Sequence, residues 1–298
     1  MDITILTRFL NGFLMILIPI GLGIFLSRRF KSGWRLWWIG AAAFVLSQIG
    51  HIPFNYVLDQ LFQRGVLSSP PETWTSLFNA FVLGLSAGMW EEIILYAVYR
   101  YWAKDARTWE QGVSLGAGRG GIESILIGLY VLVIFIQMVM FRFGDIKSLI
   151  PINQIPILEQ QLAVYWSSPW YDTLLGVLER SFTIVFHISA ALLVMQVFVR
   201  GQSRWLLLAV LWHTLVNAGA VYLALEVNPY AAEVWMAAVC LVSFMIIYIL
   251  RDSKGNQNGY QPSTLEDGNH HDLPINIEVT AEHKEIAWFS NNTLIKNA

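Results

Sequence analysis

The amino-acid sequence predicts an all-α protein, a polytopic bundle of about seven transmembrane helices followed by a polar tail. Hydrophobic residues make up 55% of the 298 residues and charged residues only 13%, whereas soluble domains carry roughly 25% charged residues. Seven apolar runs have about the 20 residues that a helix needs to cross a membrane. From Asp252 onward the chain is polar and lacks apolar periodicity. We therefore predict a helical membrane domain at 1–251 and a disordered cytoplasmic tail at 252–298.

Prolines interrupt the second predicted span and the segment between the fourth and fifth spans. The second contains His51 and Pro53 near its outer end, so we expect it to kink or to stop early there. The segment 143–169 contains three prolines, and its amphipathic part, Ile157–Trp166, is predicted to lie at the membrane interface. The seven spans are 4–27, 36–58, 75–101, 120–142, 170–199, 204–225 and 229–250.

Lysine and arginine residues are unevenly distributed over the two ends of these spans, twelve against four. We expect the protein in a bacterial cell membrane. Because cytoplasmic flanks carry the excess of basic residues, the amino terminus is predicted outside the cell and the carboxyl terminus in the cytoplasm. With a net charge of −2 and no basic stripe, the expected partner is the lipid bilayer and not nucleic acid. The twelve are Arg28, Arg29, Lys31, Arg35, Arg100, Lys104, Arg107, Arg119, Arg200, Arg204, Arg251 and Lys254, and the four are Arg8, Arg64, Arg142 and Lys147.

Glu91 and Glu92 lie inside the third predicted span, His187 inside the fifth and His213 inside the sixth. A carboxylate at bilayer depth costs at least ~2.5 kcal/mol, so such groups face a wet interior. At 1.5 Å per residue, the glutamates and His213 lie about 13–15 Å from the cytoplasmic ends of their helices, and His187 about 18 Å. We therefore expect these residues to share one hydrated site in the cytoplasmic half.

Helical spacing adds neighbours to this site. Asn217 follows His213 by four residues and shares its helix face. Arg180, Thr183 and His187 form an i, i+3, i+7 stripe that is predicted to point inward. Arg180 is predicted in the outer half of the membrane, where its charge requires an acidic partner. The adjacent Glu179 is one candidate, and the two residues could form an ordinary buried ion pair.

Glu123 is predicted at the cytoplasmic end of the fourth helix, after the glycine-rich run Leu115–Glu123. The glycines either let backbone approach the site closely or bend a loop. Arg119 lies four residues before Glu123 and can pair with it. His51 is interpreted as an interhelical hydrogen-bonding group.

Four short motifs occur in order, at Trp90–Ile93, Gly118–Glu123, Glu179–His187 and His213–Asn217. Their order resembles the CAAX prenyl protease and bacteriocin-processing clan of glutamic intramembrane proteases. Within that clan the motifs most resemble the YhfC group of membrane peptidases. The resemblance covers roughly residues 80–220 and implies hydrolysis of a peptide bond in a membrane-anchored substrate, at a site open toward the cytoplasm.

The resemblance also implies roles for the site residues. Glu91 with His187 would hold and deprotonate the attacking water, while His213 and Asn217 would donate hydrogen bonds to the oxyanion. Glu92 would support the first carboxylate or bind a metal. The cofactor is either none or a divalent metal, most simply zinc, whose possible ligands are Glu92, His187 and His213. Glu123, Arg180 and Thr183 are supporting residues.

Two positions depart from the pattern of the YhfC group. That group usually has an arginine shortly after the glutamate pair, where this chain has Leu95 and Tyr96, and a histidine between the glycines, where it has Arg119. A catalytically inactive scaffold or immunity-type relative is therefore an alternative. A proton- or cation-coupled transporter is another, because carboxylates and histidines at mid-membrane also form relays.

Overall fold

The computed structural model describes residues 3–31, 33–144 and 151–251, and the predicted tail lies outside these ranges. Within them the chain forms α-helices, two short 3₁₀ turns and no strand, so the all-α prediction is confirmed. The helices are α1 (Ile3–Phe30), α2 (Arg35–Gln63), α3 (Glu72–Tyr101), α4 (Trp109–Phe143), α5 (Ile155–Ser167), α6 (Leu175–Arg200), α7 (Arg204–Glu226) and α8 (Pro229–Arg251).

Seven of these helices, all except α5, are long and apolar enough to cross a membrane. They match the seven spans predicted from the sequence. The most enclosed is α6, of which 78% of the most apolar stretch is buried, against 17–44% in the others. Because α6 is central, the polar side chains that it carries need partners within the protein.

We call the end of the bundle at Arg35, Tyr101, Trp109 and Arg200 the basic end.

The second span was expected to kink or to stop early, and the early stop is wrong. The helix α2 continues through His51 and Pro53 as far as Gln63. A proline inside a helix removes one N–H donor, but an end at membrane depth would expose several unpaired backbone groups to lipid. Continuing the helix is therefore the less costly arrangement, and it keeps His51 inside the bundle.

The start of the fourth helix is also different from the prediction, because α4 begins at Trp109 rather than near residue 120. Thr108 and Gln111 form a capping box, in which each side chain accepts a hydrogen bond from the other residue's backbone N–H. The glycine-rich run is consequently helical, and the loop alternative is wrong. Arg119 lies about 15 Å and Glu123 about 21 Å along α4, so neither is at its end.

Arg119 is 1% exposed, so counting it among the cytoplasmic flank residues was wrong. The distribution of basic residues becomes eleven against four and still predicts the same orientation.

The helices that carry the polar residues pack closely against one another at glycines. A Cβ atom at Gly40 of α2 would lie 1.9 Å from the carbonyl oxygen of Leu115, and one at Gly118 of α4 would lie 1.9 Å from that of Trp37. The helices α2 and α4 are therefore in backbone contact, which small residues permit in membrane bundles. The pairs α3–α7 and α4–α6 cross closely as well: Gly84 and Gly88 of α3 lie against α7, and Gly116 and Gly120 of α4 lie against α6.

The segment between α4 and α6 contains α5, which covers the predicted amphipathic piece. Leu158 and Leu162 are its buried residues. Arg8 of α1 donates a hydrogen bond to the carbonyl oxygen of Tyr165 and lies over the Tyr165 ring. These contacts attach α5 to the bundle, while its location at the membrane interface stays a prediction.

The α2–α4 crossing leads to a stability prediction. In Gly118→Ala the added methyl group has no room beside the Trp37 carbonyl, so the two helices must separate. Overpacking of this kind costs about 1–3 kcal/mol. We expect a clearly lower thermal unfolding temperature in detergent, measured by tryptophan fluorescence or light scattering.

Gly21→Ala is the matched control, because a Cβ atom at Gly21 in α1 meets nothing within 4 Å. It should unfold at the wild-type temperature or slightly above it. Equal unfolding temperatures for Gly118→Ala and Gly21→Ala would contradict the close crossing.

Candidate functional site

The first polar cluster is centred on Glu92, which is fully buried on α3. Its carboxylate accepts two hydrogen bonds from Arg119 of α4, Nη2 to Oε1 at 2.8 Å and Nη1 to Oε2 at 3.2 Å. His213 of α7 contacts the same carboxylate, with Nδ1 2.6 Å from Oε1. Three helices therefore meet at one side chain.

Glu91 lies beside Glu92 and is only 6% exposed. Its Oε2 accepts a hydrogen bond from Arg119 Nη2 at 2.9 Å, so a single guanidinium binds both glutamates. Its other oxygen, Oε1, lies 3.9 Å from His213 Nε2 and 3.4 Å from the side-chain nitrogen of Gln48. This oxygen has no strong partner among the described residues, and it is the one that faces His213.

The contact with Glu92 sets the proton on His213. An ionised carboxylate only accepts hydrogen bonds, so Nδ1 of His213 carries a proton and donates it to Glu92. Nε2 is then directed toward Glu91 Oε1, at a separation that one water molecule can bridge. When Nε2 is protonated as well, two carboxylates balance one guanidinium and one imidazolium, and the cluster is neutral.

A polar stripe on α2 extends this cluster away from the basic end. Gln48, His51 and Asn55 follow an i, i+3, i+7 spacing on one helix face. The ring of His51 contacts Gln48 at 3.3 Å, Asn55 at 2.8 Å and Ser86 of α3 at 3.2 Å. His51 is thus the interhelical group expected from the sequence. Its link through Gln48 to Glu91 was missed, although the spacing of the three polar residues signals it.

The second polar cluster is centred on Glu123 of α4. Its two oxygens contact Arg180 Nη1 and His187 Nε2 of α6, each at 2.6 Å. Arg180 also donates a hydrogen bond to Glu179. Arg180 therefore has both Glu123 and the adjacent Glu179 as acidic partners. The pairing of Arg119 with Glu123 considered above is wrong, because Arg119 contacts the glutamates of α3.

The remaining ring nitrogen of His187, Nδ1, is buried and has no hydrogen-bond partner among the described residues. The hydroxyl group of Thr183 donates a hydrogen bond to the Glu179 carbonyl oxygen of its own helix at 2.9 Å, and so it does not donate to Glu123. Of the two, only His187 has an unused polar atom.

The two clusters are adjacent. The ring centroids of His187 and His213 are 5.9 Å apart, and the ring of Phe186 lies about 5 Å from both. Glu91, Glu92 and His213 are thus in one cluster, as the sequence predicts, while the recorded carboxylate partner of His187 is Glu123 rather than Glu91. Asn217 is half-buried, and its amide forms no hydrogen bond with a described residue.

A metal would require ligands that this arrangement does not offer. Among the described residues, no group of three or more His, Cys, Asp or Glu side chains has the geometry of a metal site. Both oxygens of Glu92 are bound to Arg119, and His187 Nε2 is bound to Glu123. Three atoms are left without a strong partner, Glu91 Oε1, His213 Nε2 and His187 Nδ1. Catalytic zinc needs three protein ligands, but these three do not have the geometry of a metal site. The set Glu92, His187 and His213 therefore does not fit a metal ion.

A relative named "Uncharacterized membrane protein YhfC", from Bacillus subtilis (strain 168), is 27% identical over 249 residues, which are 81% of this chain and 93% of the relative. No solved structure matches the chain. The membrane relative and the seven apolar helices support an integral multi-pass membrane protein. A family described as "YhfC intramembrane metalloprotease" matches residues 14–241, most of the chain, and the chain therefore belongs to the YhfC family.

Proposed function

We propose that this protein is an intramembrane peptidase that hydrolyses a peptide bond with water activated by Glu91. The observation that carries the proposal is the open pair of atoms at the edge of the first cluster, Glu91 Oε1 and His213 Nε2, 3.9 Å apart. The family description supports hydrolysis of peptides in the membrane. It also implies a metal, but the donor set does not fit one.

Glu91 acts as the general base. A water molecule between Glu91 Oε1 and His213 Nε2 gives its proton to Glu91 while its oxygen attacks the carbonyl carbon of the substrate. A base positioned in this way contributes about 10²–10⁴-fold to the rate. The second oxygen of Glu91 stays bound to Arg119, which fixes the direction of the first.

His213 and Asn217 bind the oxyanion. Held at Nδ1 by Glu92, the protonated ring of His213 directs its Nε2–H to the side of Glu91 Oε1. The amide of Asn217 lies one helical turn away and is not engaged by any described residue. A donor to the oxyanion in a site with little water contributes about 2.7–4 kcal/mol.

His187 orients the water. Its Nε2 donates to Glu123, so Nδ1 keeps a lone pair that can accept the second hydrogen of the water. This role accounts for the buried, unpartnered Nδ1 atom. When the tetrahedral intermediate breaks down, Glu91 returns its proton to the leaving nitrogen.

The substrate class follows from the depth of the site. The first cluster lies about 14 Å from the basic end, which the distribution of Lys and Arg predicts to be cytoplasmic. A peptide anchored in the membrane and partly unwound near that face could reach it, whereas a soluble folded protein could not.

A second candidate function, proton- or cation-coupled transport, is favoured by one observation. The polar stripe of Gln48, His51 and Asn55 continues from Glu91 away from the basic end. A relay open to both sides would use such a stripe. Proton flux into liposomes that is lost in both Glu91→Gln and His51→Phe would favour transport over hydrolysis.

Glu91→Gln should reduce cleavage about 100-fold or more, because an amide cannot accept the proton of the water. The assay uses protein reconstituted in liposomes with a set of single-span membrane peptides, and mass spectrometry identifies the products. Glu72→Gln is the matched control, since Glu72 lies exposed at the other end of α3, and it should retain full activity. Cleavage by Glu91→Gln at the rate of this control would refute the role of Glu91.

Glu123→Gln should slow cleavage by about 10- to 100-fold, since its amide can present an N–H to His187 Nε2 and move the ring proton to Nδ1. Thr183→Val removes only a hydrogen bond within its own helix and should change the rate little. Both rates are measured at saturating peptide in the same liposome assay. If the two variants behave alike, His187 is not held by Glu123 for catalysis.

A further inference from the structure

The guanidinium of Arg119 lies where a metal ion would have to lie to serve both glutamates. Its Nη2 atom is 2.9 Å from Glu91 and 2.8 Å from Glu92, and its Nη1 atom contacts the second oxygen of Glu92 at 3.2 Å. One cation thus compensates two carboxylates through three hydrogen bonds. Arginine keeps its charge at any physiological pH, so this compensation is permanent.

Burial makes the pairing obligatory. Arg119, Glu92 and Glu91 are 1%, 0% and 6% exposed, so bulk water does not solvate these three charges. Removing one member of such a group leaves an unpaired buried charge, which is strongly unfavourable. A divalent ion added beside the guanidinium would place like charges next to each other where the dielectric constant is low.

The backbone of α4 holds Arg119 in this position. The preceding residue, Gly118, packs against the backbone of Trp37 in α2, and the following residue, Gly120, packs against Ile184 and His187 in α6. With neighbouring helices in contact on both sides, α4 cannot rotate to withdraw the side chain without breaking two crossings.

In the second cluster, too, one arginine binds two carboxylates. Arg180 binds Glu123 and Glu179 of the neighbouring polar layer. The four carboxylates of the two clusters are therefore all paired with arginine. In both clusters a guanidinium thus balances the carboxylates.

We propose that Arg119 is the resident cation of the Glu91–Glu92 pair and takes the place of a divalent metal, so that this member of the family carries no metal at the site. The inference concerns the state of the site and goes beyond the proposed hydrolysis. It holds whether or not the chain cleaves peptides.

The test is metal content. Full-length protein purified in detergent is incubated with a small excess of Zn²⁺ or Co²⁺, desalted and analysed by inductively coupled plasma mass spectrometry. We expect far less than one ion per wild-type chain. Arg119→Ala should gain about one ion per chain, because the freed glutamates and His213 then offer three ligands. Adding Glu91→Gln to Arg119→Ala should abolish that gain.

Two further variants keep the result interpretable. Arg119→Lys retains the positive charge and should stay free of metal even if Arg119→Ala folds poorly. Arg64→Ala removes an exposed arginine beyond α2 and should bind as little metal as the wild type. Folding of each variant is checked by its unfolding temperature, and an unchanged wild-type unfolding temperature in the presence of a chelator is also expected.

A wild-type chain that carries about one metal ion, lost on Glu91→Gln, would overturn the inference and leave peptide hydrolysis open. A folded Arg119→Ala variant that binds no metal would show that Arg119 does not occupy the place of an ion. Conversely, a protein that cleaves no peptide would refute the proposed function without affecting the metal count.

Discussion

The pairing of Arg119 with Glu91 and Glu92 is the interaction on which the rest of the structure depends. Three charged groups are almost completely removed from water, in a bundle whose surroundings are lipid. Such charges are tolerated only when each has a partner of opposite sign. The long Arg119 side chain thereby links α4 to α3, and His213 of α7 contacts the same carboxylate.

Glycine contacts and ion pairs support each other in this fold. The contacts of Glu92 with His213 of α7 and of Glu123 with His187 of α6 need short distances between helices, and the glycines of α3 and α4 allow these backbones to approach that closely. The crossings in turn have little hydrophobic driving force in lipid, so the hydrogen-bonded clusters add attraction that packing by itself lacks. One open pair of atoms, Glu91 Oε1 and His213 Nε2, remains after these contacts are satisfied, and chemistry is proposed there.

Much of the fold could be predicted, because a run of about 20 apolar residues and a basic flank are strong local signals. The predictions that proved wrong depended on weaker local signals, such as those that mark where a helix begins. The start of α4 depends on the capping box of Thr108 and Gln111, which lies in a polar stretch and was overlooked. A helix that starts near residue 120 leaves Arg119 on a flank, so the sequence pattern does not predict that Arg119 belongs to the site.

The sequence by itself determined which polar groups lie in the membrane and at what depth, because a helix rises 1.5 Å per residue whatever surrounds it. The sequence therefore predicts that Glu91, Glu92 and His213 lie at a common depth in the membrane. Only the tertiary structure decided their partners: Arg119 for the two glutamates, and Glu123 for His187. Partner choice depends on the rotation of each helix and on which neighbour it touches. Contacts between residues far apart in the chain set both.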